Sequence, residues 1–170
     1  IEDFTALISL DCSGNQLTSL DISNNTALTE LWCYSNNLTS LDVSQNTALY
    51  ELRCGSNQLT SLDVSQNTAL GYLWCSGSPI TSLDVSQNTA LSYLHCINDL
   101  TSLDVSQQSL DYLNCSYNQL TCLNVKNGNN ANVAGLAFYA NNNPNLTCIE
   151  VDNAAWSTAN WINIDPQASF

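Results

Sequence analysis

The sequence predicts a β-rich solenoid: a right-handed coil with parallel strands on two faces and little helix. Three observations predict it. First, the stretch from Leu49 to Ala69, LYELRCGSNQLTSLDVSQNTA, recurs with small edits, as LTELWCYSNNLTSLDVSQNTA from Leu28 and LGYLWCSGSPITSLDVSQNTA from Leu70. A fixed period of about 21 residues is the signature of stacked supersecondary units. Second, each copy divides into two halves, L-x-x-L-x-C-x-x-N and L-x-x-L-x-V-x-x-N. Each half alternates like a short strand, so Leu52 and Cys54 point one way while Arg53 points the other. Third, one copy cannot fold alone. Its four leucines and one valine stabilise by about 1.5–3 kcal/mol each on full burial, whereas ordering its backbone costs roughly 1–2 kcal/mol per residue. Stacking of copies must complete the core.

Along the chain, Ile1 to Ala6 should form an N-terminal edge, with Phe4 over the open end of the core. Units begin at Leu7, Leu28, Leu49, Leu70, Leu91 and Leu110. Unit five lacks one residue before Leu100 and another in LTSLDVSQQS, which calls for tighter turns there. In unit six, Lys126 to Asn132 is rich in Asn and Gly and reads as a loop. A degenerate seventh unit, Val133 to Asp152, sets Phe138 in the Cys position and lengthens the bend at Asn141–Pro144. The array thus spans residues 1–152 in about seven turns. Residues 153–170 leave the pattern and carry Trp156, Trp161 and Pro166. They are expected to cap the array as part of the same domain, with a short helix near Asn153 to Trp161, because a terminal turn otherwise exposes its apolar face.

Composition narrows the function classes. The formal net charge of the 170 residues is −13, and Arg53 and Lys126 are the only strong bases. Nucleic acid needs clustered Lys and Arg against its phosphates, so no nucleic-acid partner is expected. An anionic membrane surface is disfavoured for the same reason, and no apolar run approaches the roughly 18 residues that a spanning helix needs. No signal peptide is recognisable, and the abrupt start at Ile1 suggests a processed or trimmed chain.

Six of the eight cysteines, Cys12, Cys33, Cys54, Cys75, Cys96 and Cys115, occupy the inward position after L-x in the first half-repeat. They should form a buried column of small apolar side chains, a role that free Cys fills well. No C-x-x-C pair is present, so no metal site is expected. Cys122 and Cys148 differ, replacing the Ser of LTSL on adjacent turns. Equivalent positions there lie about 4.8 Å apart, within the Cα range that a disulfide accepts. A Cys122–Cys148 disulfide is expected, and with it an oxidising compartment. Two asparagine columns mark the bends: Asn15, Asn36, Asn57, Asn98, Asn118 and Asn141, interrupted at Ser78, and Asn25, Asn46, Asn67 and Asn88. A buried amide both donates and accepts, so it can satisfy backbone groups that lose their ladder partners where the chain turns.

The repeated L-x-x-L-x-C-x-x-N-x-L resembles the leucine-rich repeat signature over nearly the whole chain. The doubled half-repeat resembles the short bacterial subtype with two strand-like segments per turn. The closing CIEVDNAAWSTANWINIDPQASF is similar to the end of repeat arrays in secreted Bacteroidetes-type proteins. That resemblance implies export to the medium or the cell surface, often with a sorting domain further on. It also implies binding through one face, and it fixes no partner.

The two faces carry different chemistry. On the second strand, Asp21, Asp42, Asp63, Asp84 and Asp104 form a column flanked by Ser and broken at Asn124. It reads as a solvated polar ladder that blocks edge aggregation; weak Ca2+ binding between neighbouring carboxylates is the alternative. The first strand varies from copy to copy. Its middle outward column reads Asp11, Trp32, Arg53, Trp74, His95, Asn114 and Ala137. The column before it reads Ser9, Glu30, Glu51, Tyr72, Tyr93, Tyr112 and Gly135, and the column after it includes Ser13, Tyr34, Gly55, Ser76, Ile97, Ser116 and Tyr139. A core does not need outward Trp. One account is internal: Arg53 sandwiched between Trp32 and Trp74, and Tyr72, Tyr93 and Tyr112 stacked along their column. The other makes Glu30, Trp32, Tyr34, Glu51, Arg53, Tyr72, Trp74, Tyr93, His95 and Tyr112 a recognition surface, since Trp, Tyr and Arg dominate binding hot spots. A protein partner is the first reading, a polysaccharide stacked on the rings the alternative, and a structural spacer or adhesin stalk the third. Catalysis is not expected, and no cofactor. His95 is the only histidine, the column cysteines face inward, and an open sheet supplies no cleft for paired carboxylates.

Overall fold

A computed structural model describes residues 3–128, 130 and 137–170 and shows a parallel-strand coil. Strands are numbered in chain order. The first sheet comprises β1 (Ser9–Asp11), β2 (Glu30–Trp32), β3 (Glu51–Arg53), β4 (Tyr72–Trp74), β5 (Tyr93–His95), β7 (Tyr112–Asn114) and β9 (Phe138–Tyr139), each paired in parallel with the next. Six passes of the coil therefore separate its first strand from its last. The second sheet comprises β6 (Ser102–Asp104), β8 (Cys122–Asn124) and β10 (Cys148–Glu150). One helix, α1 (Ala154–Asn160), follows.

Alternation decides what is inside. In β2 to β5 and β7 the middle leucine is buried and its two neighbours are half-exposed. Cys33, Cys54, Cys75, Cys96 and Cys115 follow these strands and are fully buried, while Cys12 on the first turn is only partly covered. Burial disfavours the thiolate. It pushes the thiols of Cys33, Cys75 and Cys115 up to about 12 and those of Cys54 and Cys96 well above their ordinary value.

Asparagine amides tie each turn to the one before it. Asn57 Nδ2 donates to Cys54 O in its own turn and to Cys33 O in the preceding turn, both at 3.0 Å, while its Oδ1 accepts from Leu38 N at 3.0 Å. Asn36 and Asn118 repeat the pattern. Immediately before these positions the backbone turns left-handed, at Gly14, Ser35, Ser56, Gly77, Tyr117 and Asn142. In the second column, Asn46, Asn67 and Asn88 each donate to two carbonyls of the preceding turn. Gln108, with its longer side chain, takes the equivalent place in the shortened fifth unit and reaches Val85 O at 2.8 Å.

Four local expectations change. The Ser-x-Asp-x-Ser segments of the first four units are not paired strands; pairing on that face starts at β6, in the shortened unit. Each Asp there accepts a hydrogen bond from the Ser N–H two residues on, which turns the chain. Grooves of about 390–450 Å³ lie between rungs, lined by pairs such as Asp42 and Asp63 or Asp84 and Asp104. The rungs thus pair as strands along the whole first face and, on the second, only from the fifth unit onward. Second, Phe4 does not cover the core. Its side chain is 65% exposed, and its carbonyl instead accepts from Asn25 Nδ2. Ile1 and Glu2 of the expected edge lie outside the described residues.

Third, unit seven is displaced by two residues. Phe138 pairs with Leu113, so it fills a leucine position, Ala140 takes the Cys position, and Tyr139 rather than Ala137 stands beside Asn114. A slip of two keeps every side chain on its own face, so alternation alone does not detect it. Fourth, and for the same reason, the last ladder amide is Asn143 rather than Asn141. Asn143 Nδ2 bonds Cys115 O and Ala140 O, and its Oδ1 accepts from Leu120 N. Residues 129, 131 and 132 of the expected loop, the start of unit seven at Val133 and the outward Gly135 lie outside the described residues.

Residues 153–170 fold over the last turn. Asn153 caps α1 by accepting from Trp156 N at 3.0 Å. Trp161 is buried and stacks on Phe138 with ring centroids 4.0 Å apart. Asp165 accepts from the backbone N–H groups of Asn142 and Asn143.

Two stability outcomes follow. Asn57→Ala orphans the Leu38 N–H and Cys54 O and removes one of the two donors to Cys33 O, and should cost about 3 kcal/mol in urea unfolding, whereas exposed Gln58→Ala should stay within about 0.5 kcal/mol. Trp161→Ala should lower stability by about 3–5 kcal/mol through the cavity left over Phe138; a loss under about 1 kcal/mol would show that the terminal segment does not hold the last turn.

Candidate functional site on the first sheet

Strand register places the variable side chains in rows. Glu30, Glu51, Tyr72, Tyr93 and Tyr112 form one row, and Trp32, Arg53, Trp74, His95 and Asn114 the next. Tyr34 lies just beyond β2. All ten residues expected on the recognition surface share this face, and each is half-buried by its neighbours rather than projecting freely.

The side chains are bound to one another. Glu51 Oε1 accepts from Trp32 Nε1 at 2.9 Å and from Arg53 Nε at 2.5 Å. The Arg53 guanidinium lies 5.1 Å from the Trp32 ring centroid and 4.7 Å from that of Tyr72, so Tyr72, not Trp74, is its second aromatic partner. Trp74 instead meets Tyr34 at 5.2 Å and His95 at 6.2 Å. Gly55 makes the Tyr34–Trp74 contact possible. It stands on the rung between them, and a Cβ there would come within 2.7 Å of Ser76 O and 3.4 Å of the Trp74 ring. Tyr72, Tyr93 and Tyr112 stack nearly parallel, with centroids 4.0 and 4.2 Å apart. Glu30, at the margin, accepts from Ser9 Oγ at 2.9 Å. Tyr139 extends the second row beside Asn114 and meets Tyr112 diagonally, with centroids 5.9 Å apart. Sequence reasoning placed Tyr139 one column away because of the two-residue displacement in unit seven.

Burial sets the electrostatics. Tyr93, between two rings, has its phenol pushed well up by desolvation. His95 is held below its ordinary value, also by desolvation. Among the described residues, Trp74 Nε1 and His95 Nε2 are buried polar atoms without a hydrogen-bond partner. His95 has aromatic neighbours and the column thiols are buried, so no nucleophile is set beside a base here.

The other face offers less. The N–H and hydroxyl of the Ser two residues on hold the carboxyls of Asp21, Asp63 and Asp84 below the usual range. A cation would have to compete with these bonds. Among the described residues, the one group of three possible metal ligands within 4.8 Å is Cys122, Cys148 and Glu150, not the Asp column. Cys122 and Cys148 are free thiols in the structure, facing each other across β8 and β10 with Sγ atoms 2.6 Å apart.

His95 supplies a solution readout. Because the folded state favours its neutral form, its contribution to stability is present above about pH 6.5 and is lost as pH falls through the lower folded value. The imidazole signals of this lone histidine should titrate with a midpoint below 6.5 by NMR, and His95→Gln should flatten the stability slope just below that pH. A midpoint above 6.5 would mean that the ring is not buried against Trp74.

A family profile described as leucine-rich repeats (two copies) matches residues 5–49. Comparison with curated proteins finds no match. Among solved structures, a leucine-rich repeat protein of Leptospira interrogans is 28% identical, with a TM-score of 0.68 over 88% of this chain and 38% of that one. An internalin of Listeria monocytogenes is 23% identical, with a TM-score of 0.69 over 96% of this chain and 49% of that one. A functional domain of another Listeria monocytogenes internalin is 30% identical over 88% of this chain and 45% of that one, with a TM-score of 0.43. The chain spans less than half the length of each. No helix among the described residues is long and apolar enough to cross a membrane. The chain carries leucine-rich repeats wound into the coil typical of them, a scaffold that generally binds proteins rather than catalysing reactions.

Proposed function

We propose that this chain is a non-catalytic binding module of an exported bacterial protein, and that it recognises a protein partner through the aromatic face of the first sheet. One observation carries the reading: copy-to-copy variation is concentrated on one face of an otherwise repetitive coil, and the variable side chains there form a packed lattice of Trp, Tyr and Arg. Such residues anchor interfaces because they bury much surface per ordered side chain. Prior packing lowers the entropy lost on docking.

The stacking geometry favours protein over polysaccharide. A sugar ring needs a free aromatic face, and both faces of Tyr93 are covered at 4.0 and 4.2 Å. What Tyr93 leaves for a partner is its ring edge and hydroxyl, suited to an irregular protein surface. A spacer would have no use for the variation. Export rests on the resemblance of the closing segment to the ends of secreted repeat arrays and on the bacterial sources of the similar structures.

The test is a paired screen of immobilised chain against arrays of extracellular proteins and of glycans. Protein hits should weaken about 30-fold or more in Trp32→Ala/Trp74→Ala and in Tyr93→Ala, with unchanged circular dichroism. Hits confined to glycans, or protein hits indifferent to both variants, would overturn the reading.

A further inference from the structure

We infer that Cys122 and Cys148 are a covalent modification site: a thiol pair built to oxidise to a disulfide that clamps the last two rungs of the second sheet. The inference is independent of the binding reading. Its basis is the pairing of β8 with β10. Cys148 stands in register with Cys122, flanked by the pairs Ile149–Leu123 and Glu150–Asn124. Directly opposed residues of neighbouring strands lie about 4.8 Å apart, inside the Cα range for a disulfide. Both side chains point to the outer face and are only partly covered, and the Cys122 thiol donates toward Cys148 Sγ.

Selectivity follows from burial. The other cysteines are also stacked turn on turn, but five of the six are fully enclosed. An oxidant cannot reach them, and exchange needs a thiolate that their surroundings disfavour. The sixth, Cys12, has the enclosed Cys33 as its neighbour. A metal is the weaker use of the same atoms. With Glu150 the pair offers three ligand groups, one short of the four that a closed zinc site takes.

The oxidant is a small-molecule or protein disulfide, with glutathione disulfide as the probe. The Cys148 thiolate attacks one sulfur, releasing one glutathione thiolate and leaving a mixed disulfide. Deprotonated Cys122 then attacks the Cys148 sulfur and releases the second. Two S–H bonds and one S–S bond are replaced by one S–S bond and two glutathione thiols; the two electrons from the protein reduce the oxidant.

The sequence supplies a clean assay. Trypsin cuts after Arg53 and Lys126, the only Arg and Lys, so Cys122 falls in fragment 54–126 and Cys148 is the lone cysteine of fragment 127–170. The folded chain is equilibrated with excess glutathione disulfide, alkylated in denaturant, digested and weighed with and without reductant. The expected result is one covalent species joining the two fragments, released by reductant, with six rather than eight protein thiols alkylated. Cys122→Ser and Cys122→Ala should each free fragment 127–170 without reductant. Separate fragments from the unmutated chain, glutathione adducts without a cross-link, or a cross-link that survives both substitutions would overturn the inference.

Discussion

The coil depends on amide side chains that each bond two turns at once. Stacked leucines supply most of the burial, but one leucine layer packs on the next in more than one register. An asparagine such as Asn57 does not share that tolerance. Its Nδ2 must find Cys33 O and Cys54 O while its Oδ1 meets Leu38 N. A shift of one rung by a residue or two leaves those buried groups unpaired, at about 1–3 kcal/mol each. The two amide columns are not equivalent. In the first, oxygen and nitrogen are both used. In the second, the Oδ1 atoms of Asn46, Asn67 and Asn88 and Oε1 of Gln108 have no partner among the described residues. The first column thus uses both ends of its amides, and the second ties neighbouring turns through the donor end.

Most of this was legible because the repeat states the same choice many times. Alternation in L-x-C separates inside from outside, and no residue between Leu28 and Cys115 on the first strand crosses that divide. Part of what sequence reasoning missed lies where the repeat stops stating its choice. In unit seven, Phe138 and Ala140 can be read as Leu and Cys equivalents or displaced by two, and period-two alternation accepts both. Only the amide decides, since Asn143, three residues after Ala140, completes the ladder. The second-face strands were expected everywhere because LTSLDVS alternates in every unit. Pairing also needs neighbouring backbones within reach, and that depends on rung length and splay rather than on the pattern within a rung. Phe4 failed for a similar reason: apolar character says that burial is favourable, not that a surface is there to receive it.

The face that the expected site residues share was legible, but their contacts with one another were not. Sequence places Arg53 beside both Trp32 and Trp74 in its row. The choice of Tyr72 over Trp74 turns on Gly55, whose missing side chain lets Tyr34 reach Trp74 across a rung and draw it aside. Such diagonal contacts depend on side-chain volume on the rung between, which a column-by-column reading does not weigh.

That arrangement also settles how charge is distributed across the face. The chain carries a formal charge of −13, and much of it stands on the aspartate column of the opposite face. On the aromatic face Glu51 is matched by Arg53, and its carboxylate is further engaged by the Trp32 indole. The centre of the lattice is therefore close to neutral inside a strongly acidic molecule. Interface cores are depleted of charge, while the field of the whole molecule acts over longer distances. If the protein partner proposed for this face is basic, the overall field acts on approach, and at the lattice centre Glu51 is already paired with Arg53, while Glu30 stays at the margin.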